Sequence, residues 1–233
     1  MPLTDFLAIY DSYNLSFGLA TPVLFVLALA AIGLVFFKPG AMANIVVKSI
    51  LALIWAYTSI VFFVLFYAPI NPAGYTMAAF FLLMAIILIV DIFVKRLDFD
   101  VKFNSYVTYG SIAMMAIGLI VYPLLSIVGG RPFPSLSLFG DPATISIFTI
   151  GILMLTVKNS RMGFFMVPLF WSLVGGFGSG GLLGLGDGYL LAICGLTGLG
   201  ISWYYHYIQQ EDMKKAAQKL HDKQKRKKKP KPA

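Results

Sequence analysis

Apolar and polar positions fall along this chain in seven apolar stretches separated by short polar breaks. The stretches run from about Phe17 to Phe37, from Ser49 to Tyr67, from the residue after Asn71-Pro72 to Lys95-Arg96, and from Tyr106 to Val128. Three more run from Pro142 to Val157, from Met162 to Phe177 and from Tyr189 to Tyr207. A helix that crosses ~30 Å of hydrocarbon needs about 20 residues. Most stretches meet that length, and the fifth and sixth are short. The pattern predicts an all-α, polytopic transmembrane bundle of about seven spans.

Composition points the same way. The 233 residues are 59% hydrophobic and 12% charged, with a mean hydropathy of +0.83, against roughly 25% charged residues in soluble domains. A soluble fold of this size has too little polar surface to cover so much apolar side chain. No loop exceeds roughly 16 residues, which leaves no room for a soluble domain. The expected division is an extracytoplasmic N-terminal segment 1–16, a transmembrane domain 17–208 and a basic tail 209–233.

The loop charges set an orientation. Lys38 and Lys48 flank the first break, Lys95, Arg96 and Lys102 the third, and Lys158 and Arg161 the fifth; ten more bases lie between Lys214 and Lys231. These alternate breaks share one side and hold 17 of the 18 bases, while the other side holds only Arg131. The positive-inside rule puts the rich side and the C-terminus in the cytoplasm, and an odd helix count puts the N-terminus outside. Met1 to Leu19 has no Lys or Arg, so no cleaved signal peptide is expected and the first span acts as a reverse anchor. Asp5 to Tyr13 reads as a short interfacial helix on the outer surface. Trp203, Tyr204, Tyr205 and Tyr207 read as an aromatic belt at the inner interface. The net charge of +8 describes the tail alone. Glu211 to Lys231 can continue as a helix whose run Lys225 to Lys229 contacts anionic lipid, at roughly 1 kcal/mol per base. Docking on a ribosome, an RNA or a protein is the alternative, and nucleic acid is not the expected partner.

Candidate chemistry is sparse. Asn71-Pro72-Ala73 and Asp141-Pro142-Ala143 open the third and fifth stretches. Each is either a plain helix cap or one side of a shared outer vestibule offering an amide and a carboxylate. The sixth stretch carries Pro168 and then breaks up into Gly175 to Gly181. That run is either a flexible loop or an unwound segment lining a cavity, with Asp187 at its far end. Asp91 is embedded in an apolar run. It either pairs with Lys95, one turn on, or serves as a proton or ion site. Arg131, an exposed base outside, either pairs with Asp141 or Asp187 or recognises an anion. Cys194 is a lone packing residue, and His206 and His221 have no second ligand at metal-binding spacing. No metal, cofactor or catalytic motif is present. The last stretch lacks the lysine a retinal protein needs, and Ser179 and His206 sit near opposite faces.

Several strings carry a resemblance. They are Tyr13-Asn14 with Pro22, Leu51 to Trp55, Ile70 to Tyr75, Val121 to Leu125, Thr144 to Gly151, and Val167 to Gly176. In order and spacing, from about Tyr13 to Gly200, the chain resembles an uncharacterised bacterial family of seven-helix membrane proteins often labelled transporter permeases. The resemblance implies seven spans and a bacterial inner (plasma) membrane location, and it brings no established activity. That family usually has Pro-Cys-Pro-Thr-Thr before its fifth helix. Here Asp141-Pro142-Ala143-Thr144-Ile145 stands in its place, so a thiol or metal role there is in doubt.

The leading expectation is a small-solute permease or channel-like carrier, with a site built from Asn71, Tyr75, Asp141, Thr144 and Asp187. Asp91 is the proton or ion candidate, and Arg131 the anion or ion-pair candidate. The competing expectation is a structural or accessory subunit of a larger membrane complex; a homo-oligomer is also open. Thr58, Ser59, Ser111 and Thr149 are the main polar groups expected at mid-depth, too few to pass a charged solute through one protomer.

Overall fold

A computed structural model describes residues 1–99, 101, 106–156 and 162–227. Eight helices account for most of them. They are α1 (Leu3–Phe17), α2 (Ala20–Phe37), α3 (Ala41–Tyr67), α4 (Ala73–Val94), α5 (Tyr106–Val128), α6 (Pro142–Leu153), α7 (Met166–Leu182) and α8 (Gly186–Lys227). By length and composition, α2, α3, α4 and α5 can each cross a membrane. α6, α7 and the Gly186–Ile201 part of α8 are apolar and shorter. Each of the seven apolar stretches is therefore helical, and the chain is compatible with a membrane-embedded protein.

Helix boundaries depart from expectation where Gly and Lys were taken as breaks. α3 begins at Ala41, not Ser49, so Lys48 lies inside a helix and not beside a loop. α7 does not break up at Gly175. It continues to Leu182, with its last turn, Gly178–Leu182, widened to π-helical geometry. α3 and α5 are widened in the same way over Thr58–Tyr67 and Ile117–Val121. α8 runs 42 residues without interruption, about 63 Å at 1.5 Å per residue. The expected tail helix thus extends to Lys227. Lys228 to Lys231, and the loop bases Lys102, Lys158 and Arg161, lie outside the described residues.

α6 is the centre of the bundle. Every residue from Asp141 to Thr156 is buried. Its neighbours approach it closely through small side chains, the usual device where helices associate in lipid. Ser111 on α5 donates to the Gly151 carbonyl at 2.6 Å. At Gly118, also on α5, an added Cβ would stand 2.7 Å from the Thr144 carbonyl oxygen. α7 and α8 are as close: a Cβ on Gly188 would stand 2.4 Å from the Gly180 nitrogen.

The interior polar groups are spent on helix contacts. Thr149 accepts from the Trp55 indole at 2.9 Å, and Ser59 donates to the Ala78 carbonyl at 2.7 Å. Thr58 donates to the carbonyls of Ile54 and Gly140. No open polar path is formed by these four groups. They tie α3 to α4 and α6, and α5 to α6.

α1 is not a free surface helix. Tyr10 and Tyr13 pack edge-on to Phe62, with ring centroids 5.3 and 5.2 Å apart. The Asn14 amide donates to the carbonyls of Pro134 and Leu136, which fastens the 129–141 segment over the bundle end that carries Arg131.

The close approach at Gly118 carries a test. Gly118→Ala should destabilise the protein by about 1–3 kcal/mol, because the new methyl meets backbone that cannot yield. Gly181→Ala, which meets nothing within 4 Å, should leave the melting temperature of the protein in nanodiscs nearly unchanged. Equal melting temperatures for the two variants would refute the packing.

Candidate functional site

At the Arg131 end the helices do not close completely. They leave a cavity of about 500 Å³, within the range of small-molecule sites. Six aromatic rings line it, Phe6 and Tyr10 from α1, Phe62 and Tyr67 from α3, Tyr122 from α5 and Trp171 from α7, beside aliphatic side chains such as Met77, Leu183 and Leu191. Polar groups come from Asn71, Arg131, Ser137, Ser179 and Asp187. All three widened helical segments border this region. Phe62 and Tyr67 lie in that of α3, Tyr122 follows that of α5, and Gly178, Ser179 and Leu182 lie in that of α7. Widened turns re-aim side chains that a regular helix would point elsewhere and recur at functional sites.

Arg131 is buried, at 6% exposure, where the sequence suggested an exposed base. Its Nη2 donates to Asp187 Oδ2, and its guanidinium carbon stands 5.8 Å from the centre of the Tyr10 ring. The pair is thus held between a loop, an aromatic face and the first turn of α8, where the helix dipole also favours the Asp187 carboxylate. The Trp171 indole is set edge-on to Phe63 and Phe81, at 5.3 and 5.4 Å. Its N–H is buried with no partner among the described residues.

The sequence-derived candidates separate into groups. Asn71 and Asp187 do line the cavity, together with Arg131. Asn71 Oδ1 also accepts from the Ala73 N–H, capping the entry to α4. Tyr75 is 60% exposed and does not line the cavity. Asp141 and Thr144 lie behind the wall, which Ala143 forms. Asp141 Oδ1 accepts from the Ala143 and Thr144 N–H groups at 2.8 and 2.9 Å, and the Thr144 hydroxyl donates to the Leu138 and Asp141 carbonyls. Asp141 is therefore a helix cap. Its other oxygen, Oδ2, is buried and has no partner among the described residues. Burial pushes the carboxyl up to about 6, against the pull of the two backbone N–H groups and of Arg131.

Asp91 lies at the opposite end and pairs with Lys48, not Lys95. The Nζ–Oδ2 distance is 2.7 Å, and both side chains are 2% exposed. Lys95 instead sits in the left-handed conformation at the end of α4, φ 54°, with its N–H on the Asp91 carbonyl. The Asp91 carboxylate also takes the N–H groups of Arg96 and Leu97 at 2.9 and 3.0 Å. With a lysine and two backbone donors on it, the group is a fastening that turns the chain out of α4. Among the described residues no three His, Cys, Asp or Glu side chains are grouped as a metal ion requires.

The aromatic wall escaped sequence reading. Tyr10, Phe62, Tyr67, Tyr122 and Trp171 sit among many other aromatics in apolar stretches. A ring facing a cavity has no spacing that distinguishes it from a ring facing lipid.

The chain belongs to a family of unknown function, DUF6064, whose model matches residues 3–213. The match takes in α1 to α7 and most of α8, and stops short of the ten tail bases. No curated protein and no solved structure matches the chain.

Two expectations follow. Lys48→Met should cost about 3–5 kcal/mol, as removal of one partner from a buried pair does, and Lys48→Met with Asp91→Asn should recover part of it; melting in nanodiscs measures both. An unchanged Lys48→Met would show that the pair holds nothing. For Asp141 the sign is that of a carboxyl raised above its unfolded value. The folded state binds the extra proton, so stability is greatest on the acid side and falls as pH rises from about 4 through about 6. Asp141→Asn should flatten that part of the melting-temperature profile relative to the wild type.

Proposed function

We propose that the protein is a multi-pass membrane protein that binds a small, largely apolar solute in the cavity at the Arg131 end and carries it as a permease. One observation carries this reading: an aromatic-walled cavity of about 500 Å³ with the buried Arg131–Asp187 pair in its wall. Apolar walls with a few placed polar groups are what small-molecule sites share. The solid packing around α6 fits a carrier closed on the far side better than a standing channel. All seven apolar helices are taken as spans in this reading. The Arg131 end faces outward, and the C-terminal part of α8 faces the cytoplasm and anionic lipid, because 17 of the 18 bases then lie inside.

A second reading has a specific observation in its favour. The interior polar groups Thr58, Ser59, Ser111 and Thr149 are all used between helices, as in an accessory subunit of a larger complex with a filled core.

Native mass spectrometry of the full chain from gently solubilised membranes separates the two. The carrier reading expects a protomer or homo-oligomer retaining a small molecule, and Leu183→Trp, which projects bulk into the cavity wall, should release it. Stoichiometric foreign subunits with no retained small molecule would overturn it in favour of the accessory role.

A further inference from the structure

Resting on the solute-binding reading above, we infer that the cavity takes a zwitterion: a small molecule with one ammonium and one carboxylate or phosphate group close together and an apolar or aromatic remainder. The juxtaposition that assigns it is the Arg131–Asp187 pair in the wall of a largely apolar chamber.

The reasoning is electrostatic. The pair is buried and its two charges cancel while the partners hold each other, with the Asp141 carboxyl behind the wall. An anionic solute could use Arg131 only by leaving Asp187 as an unpaired buried carboxylate. A cationic solute could use Asp187 only by stranding the guanidinium. Either event costs several kcal/mol. A zwitterion does neither. Its carboxylate replaces Asp187 on the guanidinium and its ammonium replaces Arg131 on the carboxylate, and the total charge of the cavity is unchanged.

The guanidinium is suited to the exchange. It carries five N–H donors in a planar fork. Nη2 is the nitrogen that meets Asp187, and among the described residues no other carboxylate forms an ion pair with it. Tyr10, against which Arg131 rests at 5.8 Å, gives the cation a second support when Asp187 turns to a ligand. Most of the remaining wall is apolar, aromatic at Phe62, Tyr122 and Trp171 and aliphatic at Met77, Leu183 and Leu191, which sets the preference for an aromatic or aliphatic remainder. A neutral solute would fill the chamber and leave the pair untouched. The buried pair, which is costly to keep in such a wall, would then contribute nothing to selection.

The test uses the full-length protein in phosphatidylglycerol nanodiscs, whose lipid has no ammonium group. L-phenylalanine is compared with three analogues: 2-phenylethylamine, 3-phenylpropionate and the neutral N-acetylphenylalanine amide. Binding is read by melting temperature and by quenching of tryptophan fluorescence. The expected result is that phenylalanine binds at least about tenfold tighter than any of the three, and that Asp187→Asn and Arg131→Gln each abolish that margin. Because the analogues are compared on the unaltered protein, the result stands even if the variants fold poorly. Phosphatidylethanolamine added to the nanodisc tells the two sources of a zwitterion apart. If it competes with phenylalanine, a lipid headgroup is the source; if it does not, the source is a free solute. Binding of the neutral amide as tightly as phenylalanine overturns the zwitterion and leaves the solute site intact. No binding by any of the four, with no small molecule retained in native mass spectrometry, overturns both.

Discussion

α6 is a helix with no free face, and a helix end buried in protein must find partners for its N–H groups within the protein. Asp141 supplies them through one carboxylate oxygen that accepts from two backbone N–H groups. The rest of the bundle depends on that closure. Once the end of α6 is capped, α5 can lie on it through Ser111, Gly118 and Gly151, and α3 can reach it from Trp55. The cap also explains why Pro142 is tolerated where it stands. At the first turn of a helix its missing N–H is one that would need a partner in any case. Asp141 thus serves the fold directly and the cavity indirectly, by holding Ala143 in the cavity wall.

Thr58, Ser59, Ser111 and Thr149 are taken up in contacts between helices, and the open space lies at one end. The Arg131 end is where regular helical geometry gives way. Three helices carry widened turns there, and α1 with the 129–141 segment closes over them. A regular bundle would have closed at this level. The extra residue per turn in each widened segment shifts side chains out of register and leaves the aromatic chamber.

The sequence revealed the seven apolar stretches well, because each is a long apolar run bounded by polar breaks, and each holds a helix. It offered the cap as one of two roles for Asp141 and placed the residue in the solute site, whereas its Oδ1 caps α6. It set Lys48 beside a loop and broke α7 at Gly175 for a related reason. A lysine in the first turns of a helix, or a run of glycines, normally marks a loop. Here Asp91 draws Lys48 into the interior, and the close approach of α8 gives the glycines a packing role that keeps α7 helical. The partner of Asp91 was missed because helical spacing pointed to Lys95, four residues on, while the bond that forms bridges 43 residues of sequence. The cavity was legible through Asn71, Arg131 and Asp187, and through the Gly175 to Gly181 run, of which Gly175, Gly178 and Ser179 line it. Its aromatic wall was not, because ring orientation leaves no mark on spacing.

The two buried ion pairs show how coordination decides what a pair can do. Both join one base to one aspartate, and both are almost fully withdrawn from solvent. Asp91 takes three donors, the Lys48 ammonium and the Leu97 N–H on Oδ2 and the Arg96 N–H on Oδ1. Releasing Lys48 would uncover charge with no replacement at hand, so that pair works as a permanent clasp between α3 and the end of α4. Among the described residues Asp187 has one ion-pair contact, that with the guanidinium, at the lip of a cavity, on the first residues of a helix that begins after a turn. The contact uses one of the five guanidinium N–H groups of Arg131. A pair held by one contact beside open space is the kind that a ligand can divide, and a clasp held by three is not. The difference places the fixed side of the molecule at the Lys48 end and the responsive side at the Arg131 end.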